Sequence, residues 1–195
     1  MGRIYCIMGK SSSGKDTIFK ILLQRKDVNL NRIVSYTTRP QRSNEKPGDE
    51  YNFVSIQEKD KLLAEGKVIE IREYNTVHGP WFYFTVDDGN VDLENEDYLI
   101  IGTVESFVKI RDYYGEDKVL PIYIEVDDGI RLSRALERER GQEHPKYEEM
   151  CRRFLADQQD FSEENLKAAR ISNVFINNED SVITSDRIAA FINSR

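Results

Sequence analysis

The sequence predicts an α/β fold in which a parallel five-stranded sheet is flanked by helices. The chain opens with a strand, a glycine-rich loop and a helix, and from residue 98 onward short apolar strands alternate with helical segments. It has 195 residues, 39% hydrophobic and 32% charged, enough to bury one substantial core beneath a charged surface. We therefore expect one compact domain with insertions, and ligands at the carboxyl ends of the strands.

The first strand and helix enclose a phosphate-binding motif. The apolar run Ile4–Met8 predicts the strand, and a helix is predicted to about Gln24. The loop between them follows the P-loop pattern G-x-x-x-x-G-K-[ST] up to its last position, so its backbone N–H groups and the helix N-terminus face an anion. The alternative is a Ser- and Gly-rich turn that opens an ordinary helix. The predicted triphosphate contacts are Gly9, Lys10, Ser11, Ser12, Ser13, Gly14, Lys15, Asp16 and Thr17.

Asp16 is the position at which the chain departs from this motif. A P-loop has a Ser or Thr hydroxyl there that binds Mg²⁺. A carboxylate is also a hard oxygen ligand for Mg²⁺, although it adds negative charge beside the phosphates. We expect Lys15 to lie along the β- and γ-phosphates and Asp16 to be a magnesium ligand.

Residues 36–90 predict a β-rich insertion with one helix. The helix follows Ser55, which has the spacing of a capping box with Glu58. The loop between residues 36 and 50 is polar and contains two prolines, Pro40 and Pro47. The strands predicted in and just before this segment are 32–35, 51–54, 68–71 and 81–86.

The second half of the chain returns to alternating strands and helices. Gly115 is predicted to end one helix, and the segment from Gly141 to Pro145 is predicted to interrupt another. The predicted strands are 98–101, 119–126 and 173–177, and the predicted helices are about 104–114, 129–140, 147–169 and 181–193.

Two groups of arginines suit anion chemistry. Arg39 and Arg42, three residues apart in a loop that precedes Tyr51, suit a bidentate grip on a monophosphate, although a solvated basic loop is an alternative. The second group lies on the helix before Gly141 and just beyond the break, and it could form a mobile positive clamp for phosphoryl transfer or simply pair with glutamates on a wet helix. Its members are Arg131, Arg134, Arg138, Arg152 and Arg153.

Together these residues resemble the guanylate kinase family through nearly the whole chain. The strongest markers are Ser35-x-Thr37-Thr38-Arg39-x-x-Arg42 and Asp49-x-Tyr51-Asn52-Phe53-Val54-Ser55. The resemblance implies a P-loop kinase fold that transfers the γ-phosphoryl group of ATP to GMP with Mg²⁺. It further implies a core at 1–35, 96–130 and 155–195, a β-rich monophosphate-binding region at 36–95 and a helical lid at 131–154.

The resemblance also assigns roles to individual residues. The implied GMP contacts are Ser35, Arg39, Arg42, Tyr51, Glu70 and His78, of which Ser35 and Glu70 would contact guanine. The implied catalytic residues are Lys15, Arg39, Arg134, Arg138 and Arg153. Asn177 would lie near the adenine of ATP.

Two further departures concern the acceptor site. The family's Tyr-Gly-Ser/Thr corresponds to His78-Gly79-Pro80, and its Asp-x-Asp corresponds to Gly102-Thr103-Val104. In that family those aspartates help to recognise guanine. Other residues at these positions can therefore mean a different substrate. The alternatives are therefore a kinase for another monophosphate and a guanylate-kinase-like binding module without turnover.

The net charge, the apolar runs and the cysteines limit the kinds of partner and the location that we expect for this protein. A net charge of −7 disfavours a nucleic-acid-binding protein, and no apolar run approaches the length of a membrane span. The first residues lack the apolar core of a signal peptide, and the two cysteines form neither a disulfide framework nor a metal-ligand spacing. We expect a cytoplasmic enzyme whose partners are small nucleotides and which needs no obligate protein partner.

Overall fold

The computed structural model describes residues 1–42, 45–76 and 79–195. Within these ranges no helix is both long enough and apolar enough to cross a membrane. The strands are β1 Ile4–Met8, β2 Leu30–Arg32, β3 Tyr36–Thr37, β4 Asn52–Phe53, β5 Val68–Thr76, β6 Gly79–Val86, β7 Asp97–Ile101, β8 Val119–Glu125 and β9 Val174–Ile176. The helices are α1 Lys15–Gln24, α2 Ile56–Ala64, α3 Val104–Tyr114, α4 Asp128–Arg140, α5 Tyr147–Asp160, α6 Glu163–Ala168 and α7 Ser181–Asn193.

The core is a parallel five-stranded sheet with the order β2-β7-β1-β8-β9, as the sequence predicts. β1 lies at its centre and pairs in parallel with β7 on one side and β8 on the other. All parallel neighbours point the same way, so the loops after β1, β7, β8 and β9 meet at one edge of the sheet. The P-loop is one of these loops.

Alternate residues of β1 pack into two hydrophobic layers, one on each face of the sheet. Cys6 lies in the layer covered by α3 and by Phe161, and Ile7 lies in the layer covered by α1 and α7. Every residue of β1 is fully buried. This burial on both faces explains why β1 is apolar at every position instead of alternating between apolar and polar residues.

A second, four-stranded sheet has the order β4-β3-β6-β5 and forms the β-rich insertion expected from the sequence. Its largest part is the antiparallel hairpin of β5 and β6. The hairpin strands are longer than predicted because the pairing continues to Thr76 and resumes at Gly79. Ser55 forms the predicted capping box with Glu58 at the start of α2.

Two predicted elements are wrong in detail. The strand predicted at 32–35 is β2, which ends at Arg32, and the chain then crosses to the second sheet as β3. The helix predicted from 147 to 169 is two helices, α5 and α6. The reason is Ser162, whose hydroxyl accepts a hydrogen bond from the Asn165 N–H at 3.3 Å and so starts a new helix.

The two cysteines should differ in reactivity. Cys6 is fully buried, and this burial raises the pKa of its thiol to about 12, whereas Cys151 is exposed on α5. The thiolate is the reactive form, so iodoacetamide at pH 8 should label only Cys151 in the native protein and both residues after unfolding. Mass spectrometry of the labelled peptides measures this, and rapid native labelling of Cys6 would contradict the described packing of β1.

Candidate active site

The P-loop connects β1 to α1 and takes a conformation that favours small residues. Gly14, the residue before α1, has a φ of 84°, and a Cβ there would lie 2.6 Å from the Asn177 side-chain nitrogen. Ser12 also has a positive φ, 62°, which is uncommon for a residue with a Cβ. The turn therefore brings backbone N–H groups and the N-terminus of α1 to one point, as an anion site requires.

Asn177 supports the P-loop from inside the protein. Its side chain is buried, its Nδ2 donates to the Ser13 carbonyl at 2.8 Å, and its Oδ1 accepts from Thr184 Oγ1 at 3.1 Å. The expected adenine contact is therefore buried behind the loop. Its side chain holds the P-loop against the chain that follows β9.

Lys15 and Asp16 open α1 side by side. Lys15 Nζ lies 3.7 Å from Asp16 Oδ2, and the Asp16 side chain is 73% exposed. Thr17 is exposed on the same turn. Burial raises the pKa of Tyr51, and the neighbouring Tyr83 and the charge of Asp16 add to this rise.

Arg39 is held in place before any ligand binds. It is buried, and its guanidinium donates to both carboxylate oxygens of Glu45, at 3.0 and 2.7 Å. Its Cζ also lies 5.6 Å from the ring centroids of Tyr51 and Phe53. Burial opposes the charge of Arg39, yet Glu45 and Tyr83 raise the pKa of this guanidinium, so it remains a cation.

Arg42 is exposed and lines a cavity of about 410 Å³ beside Arg39. The other lining residues are Pro40, Gln41 and Trp81. Ser35 is half-buried, and its carbonyl accepts from the Asn52 N–H at 2.9 Å. Thus Arg39, Arg42 and Tyr51 do lie in one region, as expected. His78 lies outside the described residues.

One face of the β5–β6 hairpin carries polar side chains that the sequence analysis missed. Cross-strand pairing places Glu70 opposite Thr85 and Arg72 opposite Tyr83. Tyr83 makes an edge contact with Tyr51, with 5.5 Å between ring centroids. A tyrosine and a threonine two residues apart therefore stand beside Tyr51 and Glu70. The signal for them was the alternation of side chains along β6, in which Tyr83 and Thr85 share one face.

The end of β7 is followed by Gly102-Thr103-Val104, the segment that departs from the Asp-x-Asp pattern. A Cβ on Gly102 would lie 2.8 Å from Cys6 Sγ and 2.7 Å from Ser106 Oγ, so an aspartate does not fit without movement. Thr103 instead caps α3, accepting from the Ser106 N–H at 3.2 Å.

The base of the expected lid is bonded directly to the P-loop. Arg131 is 1% exposed, and its Nη1 donates to the Ser11 carbonyl at 3.1 Å and to Asp157 Oδ2 at 3.2 Å. Asp157 Oδ2 also accepts from the Ser11 N–H at 2.7 Å. Lys10 is paired with Asp128 at 3.7 Å. The first residues of α4 and the last turn of α5 therefore hold one side of the P-loop.

The other lid arginines differ in their surroundings. Arg134 donates to the carbonyls of Asn177 and Asn178 at 3.1 and 3.2 Å. Arg138 is exposed near the end of α4. Arg153 on α5 lies 3.8 Å from Glu139, and its Nε is buried without a hydrogen-bond partner among the described residues. The same Nε lies 3.8 Å from Glu149 Oε1, so Arg153 is placed between two glutamates.

Comparison with known proteins agrees with this geometry. Residues 1–82 match the family model described as guanylate kinase. A crystal structure of guanylate kinase from Anaplasma phagocytophilum superimposes on 99% of this chain and 85% of that chain, with a TM-score of 0.67 and 25% sequence identity. The chain is therefore similar to guanylate kinases in its first 82 residues and in its fold. Its parallel sheet with flanking helices is a P-loop kinase fold.

Two curated relatives show how far the sequence likeness extends. The guanylate kinase of Malacoplasma penetrans is 30% identical over 63% of this chain and 62% of its own length. That of Thermotoga maritima is 33% identical over 64% of this chain and 49% of its own length. The aligned part thus spans about half to two thirds of these relatives.

Proposed function

We propose that this chain is an ATP-dependent nucleoside monophosphate kinase that transfers the γ-phosphoryl group of ATP to GMP. The observation that carries the proposal is the presence of two anion sites in one fold that superimposes on a guanylate kinase. The P-loop ends at Lys15, and a second site is formed by the buried Arg39, with the Tyr51 ring beside its guanidinium. Such a pair of sites suits a donor triphosphate and an acceptor monophosphate.

The roles follow from charge and position. Lys15 offsets negative charge on the transferred phosphoryl group, and Arg39, Arg42, Tyr51 and Tyr83 hold the acceptor phosphate. No general base is required, because the acceptor atom is already an anionic phosphate oxygen. Arg138 and Arg153 reach the transferred group when α4 and α5 close over it, and Arg134 joins α4 to the chain after β9.

Mg²⁺ would supply charge neutralisation at the phosphates, and the residues present fit it. Asp16 offers an exposed carboxylate at the start of α1. Mg²⁺ is commonly held by one or two carboxylates together with substrate phosphates and water, so one protein ligand is sufficient. Asp16 thus takes the place of the motif's hydroxyl. ATP, GMP and Mg²⁺ are the proposed partners, and the free thiols Cys6 and Cys151 suit the cytoplasm.

Turnover on a panel of acceptors tests the proposed function. ADP release should be measured with ATP, Mg²⁺ and GMP, dGMP, AMP, CMP or UMP. We expect turnover with GMP and little with the pyrimidine monophosphates. Absence of turnover on every acceptor, together with absence of MgATP binding by calorimetry, would remove the kinase and leave a non-catalytic binding module.

Replacing Asp16 with alanine tests the metal role. We expect the Mg²⁺ concentration for half-maximal activity to rise roughly 10- to 100-fold, in the range seen when groups that support a metal are lost. Asp16→Ser should restore much of the loss, because it returns the hydroxyl of the P-loop motif. Full magnesium-dependent turnover by Asp16→Ala at the original Mg²⁺ concentration would contradict the assignment.

A further inference from the structure

Glu70, the expected reader of guanine, is already occupied in this structure. Its side chain is fully enclosed. Oε1 accepts from Thr85 Oγ1 at 2.8 Å and from Arg72 Nη2 at 3.3 Å, and Oε2 accepts from Arg72 Nε at 3.0 Å. A carboxylate held in this way has little capacity left for the N1–H and 2-amino donors of guanine.

Arg72 is the group that remains available beside Glu70. Its side chain is 14% exposed, and Nη1 makes no hydrogen bond to any residue that the structure describes. Arg72 lies opposite Tyr83 on the β5–β6 hairpin, and the Tyr83 ring contacts that of Tyr51 with 5.5 Å between centroids. A guanidinium only donates hydrogen bonds, so Nη1 can donate to an acceptor on a ligand.

Residues 102–104, which follow β7 in the described part of the chain, include no carboxylate. A side chain at Gly102 would collide with Cys6 and Ser106. Glu70 and Arg72 carry opposite charges, so the pair as a whole is neutral. The atom of the pair that can still form a hydrogen bond is Arg72 Nη1, which is a donor.

We propose that Arg72 determines base specificity by donating to the O6 and N7 acceptors of a 6-oxopurine, so that the 2-amino group of guanine is largely unread. The substrate class is then the 6-oxopurine nucleoside monophosphates, both GMP and IMP. Guanine and hypoxanthine share the O6 and N7 edge, whereas adenine has an amino donor in place of O6. This inference rests on the proposed function.

The wild-type enzyme should accept IMP nearly as well as GMP. We expect kcat/KM for the two to agree within about tenfold, because a site that does not bond the 2-amino group loses little when it is absent. A site that used Glu70 on that group would reject IMP by a factor of 10⁴ or so. AMP should be at least about 100-fold poorer than GMP, because its amino group opposes Arg72.

Arg72→Met should change this selectivity. Both acceptors lose the donor, but GMP alone can then use the released Glu70, so the ratio of kcat/KM for GMP to that for IMP should rise about tenfold. Arg111→Met is the matched control, because Arg111 is 13% exposed and instead donates to the Ala169 carbonyl at 2.7 Å. It should leave the ratio unchanged.

A second pair of variants covers the case in which Arg72→Met does not fold. Glu70→Gln should lower kcat/KM for GMP by less than tenfold. The double variant Glu70→Gln with Arg72→Met leaves no buried unpaired charge, and it should lose the preference for GMP over AMP. A loss above 100-fold in Glu70→Gln, or a wild-type ratio of GMP to IMP above 100, overturns the inference while the kinase activity stands. If no acceptor turns over, calorimetric binding of GMP and IMP decides it: equal binding supports the inference, and binding of GMP alone or of neither overturns it.

Discussion

Replacing Lys15 with methionine is expected to lower kcat for phosphoryl transfer by about 10³-fold. The charge of Lys15 lies where α1 begins, and its only ion pair among the described residues is with the exposed Asp16. Removing one preorganised donor from a developing anion costs about 10² to 10³ in rate, and a full charge beside the transferred phosphoryl group reaches the upper end. Coupled ADP release at saturating ATP and GMP measures the loss.

The fold should not change in this variant, because Lys15 is half-buried and supports no other described element. Lys20→Met is the control, since Lys20 is an exposed cation on the same helix and should retain normal turnover. If Lys15→Met kept more than a tenth of wild-type kcat, the P-loop would not be the site of chemistry and the proposed kinase function would have to be abandoned.

The core fold could be predicted from sequence because its signals are local. The apolar run of β1, the glycines around the P-loop and the cap of α2 each specify a conformation within a few residues. The parallel order around β1 then follows from the right-handed connections that such alternating elements make. The division of the chain into core, monophosphate-binding region and lid remains a prediction of the family resemblance.

The acceptor site was harder to predict because its side chains meet across strands. Thr85 and Glu70 are separated by 15 residues and bond only through the register of β5 and β6, which includes an irregularity between Val68 and Glu70. A shift of one residue would turn Tyr83 away from Tyr51. For the same reason residue patterns alone did not show that Tyr83 lies beside Tyr51 or that Arg72 is bonded to Glu70.

The link between the lid and the P-loop joins stability to function. Asp157 accepts from Arg131 and from the backbone of Ser11, and Phe154 lies under the guanidinium with 4.2 Å between Cζ and the ring centroid. Both helices of the proposed lid, α4 and α5, are therefore bonded to the P-loop. Because these hydrogen bonds hold the first turn of α4 and the last turn of α5, we expect that end of the lid to stay fixed. The ends of α4 and α5 near Gly141 should move instead.

Replacing Arg131 with methionine is therefore expected to lower the free energy of unfolding by about 3 kcal/mol, because it leaves Asp157 partly buried without its cation. Urea unfolding followed by circular dichroism measures the change. Arg140→Met on the exposed end of α4 should alter stability by less than about 0.5 kcal/mol.

Adding Asp157→Asn to Arg131→Met should recover part of the loss, since the neutral amide can still accept from Ser11 and no charge remains uncompensated. A loss below 1 kcal/mol in Arg131→Met, or additive losses in the double variant, would mean that the lid base does not depend on this ion pair.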